Sequence, residues 1–257
     1  MLLRHVVEHV KAQKWTAVAL DFVIVVMGVF IGMQVSNWNA ARQDVREARE
    51  YIDRIQQDLL GNQYDMRTRA AYFSGIREHA LAALDAREEP ADALDEKFLI
   101  DSFIASFSLV RSYQRNTYDE LLSAGAMNKI PNVEIRNRIA EYYRVAEGSQ
   151  HYMNSVPSYE NALRRTMPYE VQAALRSGGC NAGFSTDEAG AIAATAPEDC
   201  SLNTSPEQKA AAIEKLLATE LEPDLTRALA DFDLKIQIFR LWEDRAQILY
   251  DYLEDKK

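Results

Sequence analysis

The feature that most constrains this chain is an apolar run near its start. Between Ala17 and Val35 only Asp21 and Gln34 are strongly polar, and Phe22 to Met33 is unbroken apolar or glycine. As an α-helix rising 1.5 Å per residue, these nineteen residues reach about 28 Å, close to the thickness of a bilayer's hydrocarbon core. Trp15 and Trp38 bracket the run, where interfacial aromatics belong. The expectation is a transmembrane helix over residues 15–38. The rival is a cleaved signal peptide, whose apolar core is shorter, about 7–15 residues, and ends in a small-residue cleavage pattern. Here the run leaves through Ser36-Asn37-Trp38-Asn39, which favours an uncleaved signal anchor.

Ahead of the span, Leu3, Val6, Val7 and Val10 recur at helical spacing, with Arg4, His5, Glu8, His9 and Lys11 between them. Residues 1–14 read as an amphipathic segment lying in the headgroup layer, so membrane lipid is an expected partner. His5 and His9 are four apart with no third ligand nearby; a solvated polar face explains them better than a metal site. Three basic residues precede the span, and Arg42, Arg46 and Arg49 follow it, so the positive-inside tendency does not set the orientation. Cysteine says more. The two cysteines, Cys180 and Cys200, share one Gly- and Ala-rich stretch. A disulfide there closes a ring of about twenty residues and contributes roughly 3 kcal/mol, as suits an oxidising compartment; the competing reading is two free thiols in a cytosolic domain. The orientation expected is N-terminus cytoplasmic and body periplasmic, in a bacterial inner membrane crossed once.

Charge narrows the partners. The 257 residues carry a net charge of −10, and residues 39–257 alone carry −11. Phosphate contacts need clustered Lys and Arg, so nucleic acid is excluded as a partner.

The fold class expected is all-α: the transmembrane helix continues into a long helix, and an antiparallel helical bundle over residues 39–257 forms the extramembrane domain. Val45, Ile52, Leu59, Met66, Phe73 and Ala80 fall every seven residues, with Ala48, Ile55 and Ile76 at a companion position and Asn62 and Arg69 interrupting. That is the seam of a bundle or coiled coil, with a kink expected at Gly61-Asn62. Glu88-Glu89-Pro90 ends this helix. A second is expected through Leu94, Phe98, Phe103, Ile104, Phe107 and Val110 to about Arg111. Thr117 and Glu120 have capping-box spacing for a short helix that Gly125 stops. Asn132 caps another, carrying Ile135, Ile139, Tyr142, Tyr143 and Ala146, expected to continue, bent near Pro157, to Leu175. Residues 177–206 hold four Gly and no Lys or Arg and read as a surface loop. Ser205-Pro206-Glu207-Gln208 restarts the chain with a second capping box, and a last long helix follows Pro223. No stretch reads as a strand with a turn partner. Asn203-Thr204-Ser205 matches a glycosylation sequon, a weak three-residue pattern.

Two stretches carry a resemblance. The run from Asp21 to Asn39 has an acidic residue, an aliphatic stretch with Gly28, then Gln34 and an Asn37-Trp38-Asn39 exit. It resembles the start of a bacterial family of uncharacterised, single-span membrane-anchored helical proteins, a domain of unknown function. Asn116-Thr117-Tyr118-Asp119-Glu120-Leu121-Leu122-Ser123-Ala124-Gly125, followed by Ile130 and Tyr142-Tyr143, resembles that family's internal motif. Gly32 departs from it, standing where alanine is expected. The resemblance covers about a quarter of the chain and implies an inner-membrane setting, with no catalytic residue, cofactor or metal ligand to carry over.

Asp21 is the sharpest functional feature, since a carboxylate inside a span usually faces a partner or water. At 100° per residue Asp21, Val25, Gly28, Gly32 and Val35 lie within about 40° of one line. The stripe joins a small-xxx-small pair to the carboxylate, as a close helix contact does, and predicts a homo-oligomer; alternatively Asp21 sits in the interface, about 9 Å inside Trp15. The layout also resembles that of proton-driven stator subunits, by analogy alone. The Asn116–Gly125 motif, with Asn116, Thr117, Tyr118, Glu120, Leu121 and Gly125, reads as capping and packing before it reads as a ligand site. His79 and His151 are isolated in sequence. No phosphate loop, nucleophile elbow or metal-binding helix motif is present. The functional expectation is a non-enzymatic interaction or scaffold protein that self-associates through the span and first long helix and meets a membrane or periplasmic protein. A ligand-sensing bundle acting through a partner is the alternative.

Overall fold

The computed structural model describes residues 15–186, 192–197 and 199–256. The expected segment 1–14 and the side chain of Trp15 lie outside the described residues. The described residues are 77% helical, and two helices set their form. Helix α1, Trp15–Ala86, runs 72 residues without a break, about 108 Å at the α-helical rise. The last helix, α8 (Glu222–Asp255), is its principal neighbour. Between them lie a 3-10 turn (Ala91–Ala93), α2 (Glu96–Ile104), α3 (Asn116–Ser123), a second 3-10 turn (Ala126–Lys129), α4 (Val133–Met153), α5 (Ser158–Thr166), α6 (Tyr169–Ser177), strands β1 (Gly183–Thr186) and β2 (Ile192–Thr195), and α7 (Pro206–Leu217).

The seven-residue seam of α1 is what binds it to α8. Ile52, Leu59, Met66, Phe73 and Ala80 are buried, as are Ala48, Ile55 and Ile76, and Phe73 lies 5.8 Å from Phe232 and 5.7 Å from Phe239 between ring centres. Ion pairs Arg67–Glu243 and Arg77–Asp233 flank the seam and fix the antiparallel direction. Val45, expected in the seam, is 44% exposed, because the bundle starts only at Ala48. From Ala19 to Arg46 every residue of α1 is exposed.

The expected kink at Gly61-Asn62 is replaced by a clearance. The helix runs straight through as α-helix, and a Cβ on Gly61 would fall 2.4 Å from the Gln114 side chain, so glycine admits the segment that crosses there. That segment overturns a second expectation. The helix expected to reach Arg111 stops at Ile104, and the chain then runs extended, with Phe107, Leu109 and Tyr113 buried and Val110, Ser112 and Gln114 exposed. Inward-facing residues at spacing two are a strand's pattern, here laid on helices with no strand beside it. Further on, the single bent helix expected from Asn132 to Leu175 is three helices. Pro157 and Pro168 precede α5 and α6, since proline removes an N–H and disfavours helical backbone just before it. The caps at Asn132 and Ser205 stand as read: Asn132 accepts from Glu134 N and Ile135 N, and Ser205 with Gln208 forms the full box.

The 177–206 stretch is more than a surface loop. β1 and β2 pair antiparallel, Gly183 opposite Thr195 and Thr186 opposite Ile192, and the hairpin lies on α1, with Ala193 and Ala194 buried. Cys180 and Cys200 form the expected disulfide, and Cys180 is fully buried. The disulfide points to a body in an oxidising compartment.

Candidate functional site

The residues singled out in the sequence gather in two places. The first is the exposed part of α1. Twelve large apolar side chains from Leu20 to Val35 are each 45% or more exposed. Left in water they would cost on the order of 10–20 kcal/mol, as much as a whole domain's stability; this stretch of helix is built for an apolar medium. Asp21, Val25, Gly28 and Gly32 share one open side of it, with nothing within 4 Å of where a Cβ would stand on either glycine. At its end the Arg42 guanidinium sits 3.7 Å above the Trp38 ring, an aromatic and cation pair suited to the headgroup level.

The second place is the Asn116–Gly125 motif, which forms part of a polar zipper along α1. At spacings of three and four, α1 presents Glu47, Tyr51, Arg54, Asp58, Asn62, Asp65 and Arg69, one face of a helix. The segment from 111 to 129 meets them in reverse order. Lys129 pairs with Glu47, Glu120 with Arg54 and with the Tyr51 hydroxyl, and the Thr117 N–H donates to Asp58 Oδ2 at 3.0 Å. Asn62 then donates to the Gln114 carbonyl (2.8 Å) and accepts from its N–H (2.7 Å). Arg111 and Arg69 each approach Asp65 at 2.8 Å.

This geometry corrects the capping-box reading. Asn116 is already the first residue of α3, and no side chain of its own caps the helix. Asp58, from α1, accepts the early N–H instead, and both proposed box residues serve otherwise: Thr117 is buried inside the helix, and Glu120 faces Arg54, which holds its carboxyl below the usual range. Gly125 does supply the stop, at φ 62° in the left-handed region, where glycine has no Cβ penalty. Tyr118 stacks on Tyr143 at 4.5 Å, Leu121 is fully buried, and Tyr142 meets Trp242 of α8 edge-on. The motif joins α1, α4 and α8 into one body.

Charge lies deep within that body. Arg69 and Lys235 are each 1% exposed. Burial works against the charge of Arg69 and Asp65 supports it. Lys235 donates to the Ser155 carbonyl, and burial pushes its pKa down to about 8. On another side of α1, His79 meets Asp101 at 2.7 Å and Lys97 meets it at 2.5 Å. Burial would raise Asp101, but these two hydrogen bonds outweigh it and hold the carboxyl below its ordinary value. Nothing in the local sequence pattern signals this contact, because His79 and Asp101 are 22 residues apart across a turn. Among the described residues no group of three or more His, Cys, Asp or Glu is placed to hold a metal ion. A groove of about 990 Å³ lies between the start of α2 and α7; Leu94, Ile213 and Leu217 line its floor, and Asp92, Asp95 and Glu214 also border it.

Fold and site define a class: a helical bundle carried on a long apolar helix and locked by an internal polar zipper. Comparison with protein-family models, curated proteins and solved structures finds no match.

Proposed function

We propose that this chain is a membrane-anchored, non-enzymatic interaction module of the bacterial envelope. In this reading α1 crosses the inner membrane once with its N-terminus in the cytoplasm, and the bundle stands in the periplasm. The observation that carries it is the unbroken passage of α1 from a fully exposed apolar run into the bundle core, with a disulfide in the body. The resemblance of the span and internal motif to a family of single-span envelope proteins agrees with it. Self-association is assigned to the span, on the side that carries Asp21, Val25, Gly28 and Gly32. The long helix's own seam is buried against α8 and is not free for a second copy. Carbonate washing of membranes should leave the chain in the pellet, and an impermeant reductant followed by a thiol label should mark Cys180 and Cys200 in intact spheroplasts. Release by carbonate, or labelling only after lysis, counts against the reading. Gly28→Leu with Gly32→Leu should lower oligomer size in detergent; unchanged size would remove the span contact.

The groove between α2 and α7 supports a second reading, a ligand sensor acting through a partner. A metabolite library that gives no thermal stabilisation of the chain counts against it.

A further inference from the structure

Where α1 leaves its apolar run, its charges are sorted by side. With Trp38 as the origin and a turn of about 100° per residue, Arg42, Arg46 and Arg49 stand at about 40°, 80° and 20°, and the exposed Val45 lies on the same side. Asp44 and Glu47 stand at about 240° and 180°, and Glu47 is engaged by Lys129. Glu50 and Asp53 come nearer the arginine side only farther along the helix. Over the turns next to the apolar run, that side carries one sign of charge. At the positions three and four away, where helical neighbours meet, Arg42 has Trp38, Asn39, Val45 and Arg46, and no acid. Arg46 is likewise followed by Arg49, and such like-charged neighbours repel, a cost that an anion seated among them removes.

We propose that this side of α1 binds the phosphate of an anionic phospholipid in the leaflet on the body's side. The first support is height. Helix side chains lean toward the N-terminus, here back toward the apolar run, and Arg42 does so: its guanidinium lies 3.7 Å from the centre of the Trp38 ring. Trp38 is only about 4.5 Å beyond Val35 along the helix. That places the guanidinium in the headgroup layer, which extends roughly 5–7 Å past the hydrocarbon on each face. The second support is the form of the contact. The ring covers the flat face of the guanidinium, whose N–H groups point outward in its plane, as bidentate phosphate binding requires. Arg46 and Arg49 stand about 6 and 10 Å farther along, within about a screening length of Arg42, and select a lipid of net negative charge. The third support is a groove of about 710 Å³ that Trp38, Arg42, Val45, Arg46 and Arg49 line together. Gly28 and Gly32 fall at about 80° and 120° on the same scale, so a span contact there leaves Trp38, Arg42 and Arg49 facing lipid.

The inference rests on the anchored reading above. The full chain is extracted in mild detergent from vesicles of equal phosphatidylglycerol and phosphatidylcholine, and the lipid retained is counted by mass spectrometry. Phosphatidylglycerol should exceed phosphatidylcholine at least five-fold, about the contribution of one arginine near an anionic surface. The triple variant Arg42→Gln, Arg46→Gln, Arg49→Gln, with its helix content checked by circular dichroism, should lose most of that excess, and Arg42→Gln alone the largest single share. A control, Arg138→Gln with Arg144→Gln and Arg227→Gln, removes the same charge from exposed helical pairs of the bundle and should keep the wild-type ratio. Residues 1–14 are common to all these chains. An unchanged ratio in the first triple variant, or an equal loss in the control, overturns the site. Displacement of the lipid by inorganic phosphate at constant ionic strength also overturns it, by assigning the arginines to a free anion. Carbonate washing of the vesicles separates the failures: a chain that stays bound without lipid preference refutes the site alone, and a chain that washes off refutes the anchor and the site with it.

Discussion

Replacing Lys235 with methionine should stabilise this protein at neutral pH and cease to do so in alkali. The Lys235 side chain is 1% exposed, its Nζ donates to the Ser155 carbonyl, and the ammonium sits 4.7 Å above the Phe73 ring. Burial lowers its pKa from 10.5 to about 8, with Asp231 pulling it up and Arg69 pushing it further down. That difference corresponds to about 3 kcal/mol against the folded state when the lysine is charged. Methionine fills a similar volume without charge. Losing the bond to the half-buried Ser155 carbonyl offsets about 1–2 kcal/mol. The net gain at pH 7 is about 1–2 kcal/mol, or roughly 3–6 °C in melting temperature for a chain of this size. The folded pKa lies below the unfolded one, so between about 8 and 10.5 the unfolded chain binds more protons and the wild type gains stability as pH rises. The advantage of methionine therefore shrinks through that window and reverses above it. Urea unfolding of both full-length chains in detergent, followed by tryptophan fluorescence at pH 7 and pH 10, measures the difference. A methionine variant less stable at pH 7, or a difference that does not change with pH, would refute the reasoning.

The zipper and the loop give further expectations. Asn62→Ala leaves both backbone groups of Gln114 without partners and should cost about 2–4 kcal/mol in urea unfolding, with protease nicking concentrated in residues 105–115. Changing Cys180 and Cys200 together to serine removes a link between positions 20 apart and should cost about 3 kcal/mol in the same assay. A Cβ on Gly178 would fall 1.9 Å from the Ser201 carbonyl oxygen, so Gly178→Ala should cost well over 1 kcal/mol, whereas Gly148→Ala, with open space around it, should cost nothing. Asp101 is held below its ordinary pKa by His79 and Lys97, so its stabilisation is present above the ordinary carboxylate range and is lost as pH falls through the folded value. Asp101→Asn should therefore be destabilising at pH 7 and close to neutral near pH 2 in thermal melts.

Helix positions that repeat a single period were legible in the sequence. The α1 seam, the run of α8, the caps at Asn132 and Ser205, the stop at Gly125 and the disulfide all follow from local rules or from spacing along one element. The polar zipper did not, because its meaning is distributed over two segments whose partners lie from 46 (Asp65–Arg111) to 82 (Glu47–Lys129) residues apart. Asn62 and Arg69 looked like interruptions of an apolar repeat; they are members of a second repeat, on another face, whose partners come from a different stretch. The extended segment was hidden for a related reason. Phe107, Leu109 and Tyr113 alternate, but Ile104, Phe107 and Val110 also complete a helical pattern, so the apolar residues by themselves fit either period. What separates the two is Asn62 taking the N–H and carbonyl of Gln114, a tertiary contact. Thr117 and Glu120 match a capping box by spacing alone, and Asp58 and Arg54 outcompete the local arrangement.

The eleven residues from Ser36 to Arg46 are helix that lies outside both the apolar run and the bundle, which first meets α1 where Lys129 pairs with Glu47. With the run in a bilayer's hydrocarbon core they would hold the body about 16 Å from that core, with Trp38 and Arg42 in the headgroup layer between. That height is a filter. A protein lying flat on such a membrane would meet only this narrow neck, with Arg42, Asp44 and Arg46, whereas the α2–α7 groove, at the far end of α1 where Arg87 donates to the Leu216 carbonyl, would be open only to something that stands as tall as the bundle or moves freely in the space around it.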